Sequence, residues 1–255
     1  MHPAADEKTT RAHWDEAWAA PPRWRLPSPL FVSTRNLQRL LKRYVTPGMR
    51  VLEIGCAPGK MLAWMAGTLQ AQVAGLDYSE RGIAWARQLF ATLGLRGDLR
   101  CEPLDAATFA PASFDVVYSA GVIEHFDHPD EVVRTHVAMT KPGGRAVMAI
   151  PHYGGVYGRL QRFFDRDNLG LHNLEIMSPG ALVRLAPPDL SGDVRAFAAG
   201  SMSPWLVNLE SKWPRPVARL AAHAVNAAAL LQPVDVDALS PMLVLEISRR
   251  RGPAC

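Results

Sequence analysis

The side chains best suited to chemistry in this chain are histidines and carboxylates standing at the ends of short apolar runs. His125 lies in Ile123-Glu124-His125-Phe126, His152 and Tyr153 follow Ile150, and His172 has Asn173 and Glu175 beside it. An imidazole titrates near neutrality, so each histidine is a candidate base for a hydroxyl acceptor, with Tyr153 a further candidate at the same rim. For His125 the competing reading is a residue that fixes its loop or packs on a ligand. Three acids occupy similar places: Glu53, Asp77 and Asp105 each close or follow an apolar run, the first beside the glycine turn Gly55-Cys56-Ala57-Pro58-Gly59. His128, between Asp127 and Pro129, reads as a helix start, and its HxxH spacing with His125 does not make a metal pair. No metal is expected.

A glycine turn after a strand lets a ligand approach backbone at a helix N-terminus. A dinucleotide needs G-x-G-x-x-G, but Ala57 stands at the second glycine and Lys60 at the third. A triphosphate needs four residues between the glycines and a hydroxyl after the lysine; here the turn is shorter and Met61 stands in the hydroxyl's place. S-adenosylmethionine (SAM) has no phosphate and carries a sulfonium, which tolerates acidic surroundings. Asp77 is placed for paired ribose hydroxyls. Asp105 is placed for an adenine amino group, with Tyr78, Ala106 and Val122 as apolar walls.

The elements that must position these groups follow from periodicity. Strands are predicted at 50–54, 72–76, 99–101, 114–118, 145–150, near 194–198 and at 242–247. Helices follow the glycine turn to about Leu69, run from the Ser79 cap to about Leu93, and cover about 131–140 and 178–185. Alternation of this kind implies βαβ units and a doubly wound, mostly parallel α/β sheet, with ligands at the carboxyl ends of its strands. One domain is expected over 1–255. A Trp- and Pro-rich helical cap occupies 1–47, the core 48–150, and acceptor-facing insertions 151–178 and 199–238, before a last strand at 242–249. Trp14, Trp18, Trp205 and Trp213 are candidates for a lid. In the second insertion Leu220, Ala224, Ala227 and Leu231 are predicted to form the packed face of a helix.

Together these pieces resemble the class I SAM-dependent methyltransferases, specifically their small-molecule branch. The resemblance rests on Val51 to Gly59, Gly75-Leu76-Asp77-Tyr78-Ser79, Leu104-Asp105-Ala106, Phe114 to Ser119, Val122 to Phe126 and Lys141-Pro142-Gly143-Gly144, in that order. It implies a Rossmann-like seven-stranded sheet binding SAM and releasing S-adenosylhomocysteine (SAH). Glu53, Gly55 and Gly59 then frame the methionine portion, with Cys56 and Ala57 in the same turn. Asp77 takes the ribose hydroxyls, Asp105 and Ala106 read the adenine with Tyr78 against its ring, and Ala120 and His125 line the pocket near the methyl group. Ala57, where the family commonly has glycine, departs from the pattern. A weaker similarity, from Ile150 to Asn173, is to methyltransferases of polysaccharide and secondary-metabolite pathways.

The chain has 255 residues, 48% hydrophobic and 20% charged, which suits a single globular core rather than disorder. A net charge of +4 raises the question of nucleic acid, but 28 basic residues are dispersed among 24 acidic ones. The one tight basic run, Arg249-Arg250-Arg251, reads as a solvated tail. Cys56, Cys101 and Cys255 lack zinc or disulfide spacing, and the first residues lack an apolar signal core, so a reducing, cytoplasmic setting is expected. No apolar stretch approaches a membrane span. The leading expectation is O- or N-methylation of a small polar metabolite, a sugar or natural-product intermediate, by a monomer or homodimer. The alternative is a SAM-dependent reaction that transfers no methyl to an acceptor, such as an intramolecular displacement or SAM hydrolysis. An RNA methyltransferase, a quinone methyltransferase and a non-catalytic SAM-binding module rank lower.

Overall fold

The computed structural model describes residues 8–232 and 236–251. Among them the apolar runs form one seven-stranded sheet in the order β3-β2-β1-β4-β5-β7-β6. β1 (Arg50–Ile54), β2 (Gln72–Asp77), β3 (Asp98–Cys101), β4 (Phe114–Ala120) and β5 (Thr140–Pro151) are mutually parallel. β7 (Met242–Arg249) runs antiparallel to both β5 and β6 (Gly192–Ala199). The order in which strands are added reverses between β1 and β4, which leaves a crevice at their carboxyl ends where ligands of such sheets bind.

The central strands are buried on both faces, as their continuous Val, Leu and Ile runs require. One face packs α3 (Lys60–Thr68) and α4 (Glu80–Thr92) around Leu62, Met65, Ile83 and Leu89. The other packs α5 (Pro129–Met139) and the first insertion around Val133, Met148, Tyr157 and Leu245. Ser79 caps α4 by accepting the Gly82 N–H, as its position before the helix predicts. The predicted elements all form, most of them longer: β5 begins at Thr140 and β4 continues to Ala120.

Two short helices precede the sheet, α1 (Arg11–Ala17) and α2 (Val32–Leu41). The first insertion folds into α6 (Val156–Phe164) and α7 (Arg166–Gly170), followed by α8 (Pro179–Val183). The second contains α9 (Arg215–Leu231), and here the structure corrects the sequence reading. Leu220 and Leu231 are 73% and 85% exposed, whereas Ala218, Ala222, Asn226 and Ala229 face inward. In so alanine-rich a stretch apolar spacing fits more than one face, and polar contacts choose between them. The Asn226 amide accepts the Val32 N–H at 2.9 Å and donates to the Leu30 carbonyl at 2.9 Å, meeting an otherwise uncapped amide of α2. Arg35 donates to the Ala229 and Leu230 carbonyls at the far end.

The basic run divides as well. Arg249 ends β7 and donates to the Val137 and Thr140 carbonyls, while Arg250 and Arg251 are exposed. Cys255 and the first seven residues lie outside the described residues.

Candidate active site

β1 delivers the chain into the glycine turn, and β2 delivers Asp77 alongside it. Gly55 has φ +71°, and a Cβ there would stand 2.5 Å from Val122 Cγ2, so only glycine fits. Gly59, at φ +83°, is the N-cap of α3, and a Cβ there would meet Ala86 at 2.8 Å. Asp77 spans the turn: one carboxylate oxygen accepts the Ala57 N–H and the other the Ser79 N–H, both at 2.9 Å. Each oxygen keeps a further lone pair. Burial raises the Asp77 pKa against the opposing pull of these N–H groups. The α1 segment lies over this end, with Asp15 accepting from the Ser79 hydroxyl at 2.5 Å.

Gly55, Ala57, Asp77, Tyr78 and Ala120 line a cavity of about 340 Å³, and so do His125 and His172. Trp14, Trp18, Leu104, Val122, Phe126 and Pro151 supply its apolar walls. Three acidic residues, Asp77, Glu102 and Glu124, are among its lining, and among the described residues no lysine or arginine lines it. Such a lining suits a cationic ligand and opposes a pyrophosphate.

Opposite Asp77 the loop after β4 meets the loop after α7. The Asn173 N–H donates to the Glu124 carbonyl at 2.6 Å, the Asn173 amide to the Phe126 carbonyl at 3.2 Å, and His125 Nδ1 to the Leu171 carbonyl at 2.8 Å. His172 Nδ1 donates back to the preceding helix α7 at Asn168 O, 2.8 Å away. These bonds bring the His125 and His172 rings to a centroid distance of 4.8 Å, with Trp14 edge-on to His125 at 5.4 Å. Both rings are held neutral: burial pulls His125 down to about 4 and His172 downward. Glu124 is fully buried, and burial, working against the backbone N–H groups of Glu124 and Val122, pushes its pKa up to about 8.

Other expected site residues are placed elsewhere. His152 Nδ1 donates to the Ser240 carbonyl at 3.0 Å, and the residue does not line the cavity. Tyr153 is buried behind His172, edge-on at 5.1 Å, its hydroxyl bonded to the Leu206 carbonyl and pushed up to about 12 by burial. Asp105 and Ala106 sit exposed on the 3-10 turn Leu104–Ala106, and Glu102 and Leu104 line the cavity in their stead. Glu53 and Cys56 lie beneath the turn. Burial, with Asp77 nearby, pushes Glu53 up to about 8, and burial pushes the Cys56 thiol well up. Trp205 borders a neighbouring groove, and Trp213 packs on Phe164 at 5.4 Å. His128 is the N-cap residue of α5, as its place before Pro129 predicts.

Residues 52–148, from β1 to β5, match the family described as methyltransferase domain. The chain carries a class I SAM-dependent methyltransferase domain. Over that domain it is 39% identical across 98 residues to a ubiquinone biosynthesis O-methyltransferase of Bordetella bronchiseptica, covering 38% of this chain and 40% of that protein. Phosphoethanolamine N-methyltransferase 1 of Arabidopsis thaliana is 33% identical over 125 residues, 47% of this chain and 25% of that one. The methyltransferase domain match thus spans about 40% of the length of the first of these curated relatives. Among solved structures, phosphoethanolamine N-methyltransferase 2 of Haemonchus contortus in complex with SAM superposes with a TM-score of 0.58 at 20% identity, covering 84% of this chain and 52% of that one. At that identity the likeness shows the fold, and it extends beyond the methyltransferase domain. Glu124, a cavity residue with no role assigned from sequence, lies within the domain; His172 lies outside it.

Proposed function

We propose that this protein methylates an oxygen, or a nitrogen, of a small metabolite at the expense of SAM, working in the cytoplasm as a monomer or homodimer. The observation that carries the reading is a single cavity with the Gly55 turn and Asp77 at one end and the His125, His172 and Glu124 cluster at the other. Bound SAM supplies an activated methyl group, so the protein's task is orientation and exclusion of water. Asp77, held by two backbone N–H groups, would accept the ribose hydroxyls. Tyr78 and Leu104 would flank the adenine, and Trp14 and Trp18 would close the mouth. The N-terminal segment and the two insertions would together form the acceptor cap.

An imidazole whose Nδ1 donates to a carbonyl presents a lone pair at Nε2. His125 and His172 both do so, and either would accept a hydrogen bond from an acceptor hydroxyl that strengthens as its proton leaves. Rings held neutral by burial are free to accept but are weak bases, so an acceptor already acidic, such as a phenol, suits them better than an alcohol. Sugar and natural-product intermediates remain within the proposal. The ranking that placed quinones low loses its support, since curated relatives sharing the domain are named for ubiquinone biosynthesis.

The test is incubation with methyl-labelled SAM and a panel of dihydroxyphenols, sugars and primary amines, with products separated by chromatography. Label in a phenolic ether is the expected result. Consumption of SAM with no labelled product would favour the non-transferring alternative.

A further inference from the structure

We propose that the groove between α6, α7 and α9 is a glycosyl subsite, and that the acceptor is an aryl glycoside whose phenol reaches the methyl end while its sugar occupies this groove. The space measures about 370 Å³ and is walled by Tyr153, Gln161, Asn168, Ala218 and Arg219, with the turn from Pro204 to Glu210 along it. Tyr153 also meets the His172 ring, at a centroid distance of 5.1 Å. A path joins the groove to the reacting end. Ala120, Gly121 and Pro151 line both the cofactor cavity and an apolar groove, which in turn shares Trp205 and Leu206 with the glycosyl groove. The whole lining of the glycosyl groove lies outside residues 52–148, so it belongs to this chain's insertions and not to the methyltransferase domain.

Gln161 is 1% exposed. The Asn208 N–H can only donate, so at 3.3 Å it fixes the Gln161 amide oxygen toward the backbone and leaves the NH2 at the groove wall, without an acceptor among the described residues. Trp205, 43% exposed, offers a ring held in place by Phe31 and His223, at centroid distances of 6.2 and 5.7 Å. Glu210 and Arg219, paired at 3.2 Å, complete the mouth. A sugar ring turns weakly positive C–H bonds toward the negative face of an indole, and its hydroxyls both donate and accept. An amide donor, a carboxylate and a guanidinium around an aromatic platform match that chemistry.

Other occupants fit less well. An alkyl chain would leave the Gln161 NH2 desolvated and unpaired. A phosphate would meet a single guanidinium, that of Arg219, already matched by Glu210. A peptide would have to cross the apolar groove, where Leu37, Ile150 and Met242 offer its backbone no partner and the Asn36 amide is bonded on both sides to the Ser201 backbone. A flat aromatic ring crosses there at no such cost. As the place of an acceptor the groove rests on the methyltransferase reading above; as a sugar site it stands on its own lining. In the transfer the phenolic oxygen bonds the methyl carbon, the carbon–sulfur electron pair stays on sulfur as SAH, and the phenolic proton leaves to solvent.

The test is calorimetry on the SAH-bound protein with para-hydroxyphenyl glycosides of glucose, galactose and rhamnose, against para-methoxyphenol and para-heptyloxyphenol. At least one glycoside is expected to bind about ten-fold or more tighter than para-methoxyphenol, and to take label from SAM with a correspondingly higher kcat/KM. Trp205→Ala should cut that preference about five-fold, and so should Arg219→Ala, a change at an exposed side chain that leaves the core intact; SAH affinity should stay within about two-fold of wild type in both. No preference for any glycoside, a preference that both variants leave unchanged, or para-heptyloxyphenol outbinding every glycoside would overturn the subsite and leave the methyltransferase reading standing. Preferential binding of a glycoside with no label passed to any phenol would instead strike that reading and keep the sugar site.

Discussion

Asp77 does two things with one carboxylate: it pins the glycine turn through the Ala57 N–H and keeps lone pairs facing the cavity. Two hydrogen bonds to a charged acceptor are worth about 1.5 kcal/mol or more each. Asp77→Ala should therefore weaken SAH binding about 100-fold or more in calorimetry; affinity within about three-fold of wild type would contradict the assignment. Glu53 offers a pH test one strand away. Its folded pKa is raised from 4.5 to about 8, chiefly by burial. The protonated form is the favoured one, so this contribution is complete below pH 4.5 and is lost as pH rises through 8. Glu53→Gln, which mimics the protonated acid, should raise Tm by a few degrees relative to wild type at pH 8 and show no such advantage at pH 4.5. Gly55 and Asp77 were legible because a turn and a strand-end acid have fixed places in such a sheet. Glu124 was not: it lies inside a motif read from the sequence, but its burial and the company of His172 come from a contact between distant segments.

The loop after β4 and the loop after α7 act as one element. Asn173 binds the backbone on both sides of His125, at the Glu124 and Phe126 carbonyls, and so sets where the two imidazoles meet. Asn173→Ala removes the side-chain bond and should lower kcat about ten-fold with SAH affinity unchanged, since small misplacements near the reacting atoms are costly. Unchanged kcat would mean that the loops are held without it. The pairing of His125 with His172, and not with the nearby His128, could not be read from spacing, because His128 is carried off at the start of α5. α9 fails for a related reason: with alanine on every side, periodicity cannot choose the buried face, and the amide of Asn226 does so through α2. The sheet itself was legible almost strand by strand, because strands buried on both faces read as continuous apolar runs.

Across the whole molecule, 23 arginines and 5 lysines leave a formal charge of +4 against 24 acidic residues, and among the described residues none of these basic side chains lines the cavity. Much of the arginine is structural. Arg145 and Arg195 pair with the buried Glu246 of β7, which also accepts from the Tyr44 hydroxyl at 2.6 Å. Arg35 and Arg249 donate to backbone carbonyls at the C-terminal ends of α9 and α5. Among the described residues no helix is long and apolar enough to cross a membrane. The N-terminal segment closes over the sheet's carboxyl edge: the Lys8 N–H donates to the His125 carbonyl at 2.7 Å, and Trp14 and Trp18 line the cavity. Cofactor end, reacting end and cover thus come from three separate stretches of the chain, assembled by one sheet. A crystal structure with SAH bound tests this arrangement most directly. The account predicts the ribose hydroxyls on the Asp77 carboxylate, the homocysteine along the Gly55 turn, and the sulfur facing the space bounded by Glu124, His125 and His172. SAH bound away from Asp77, or with its sulfur turned from that cluster, would contradict it.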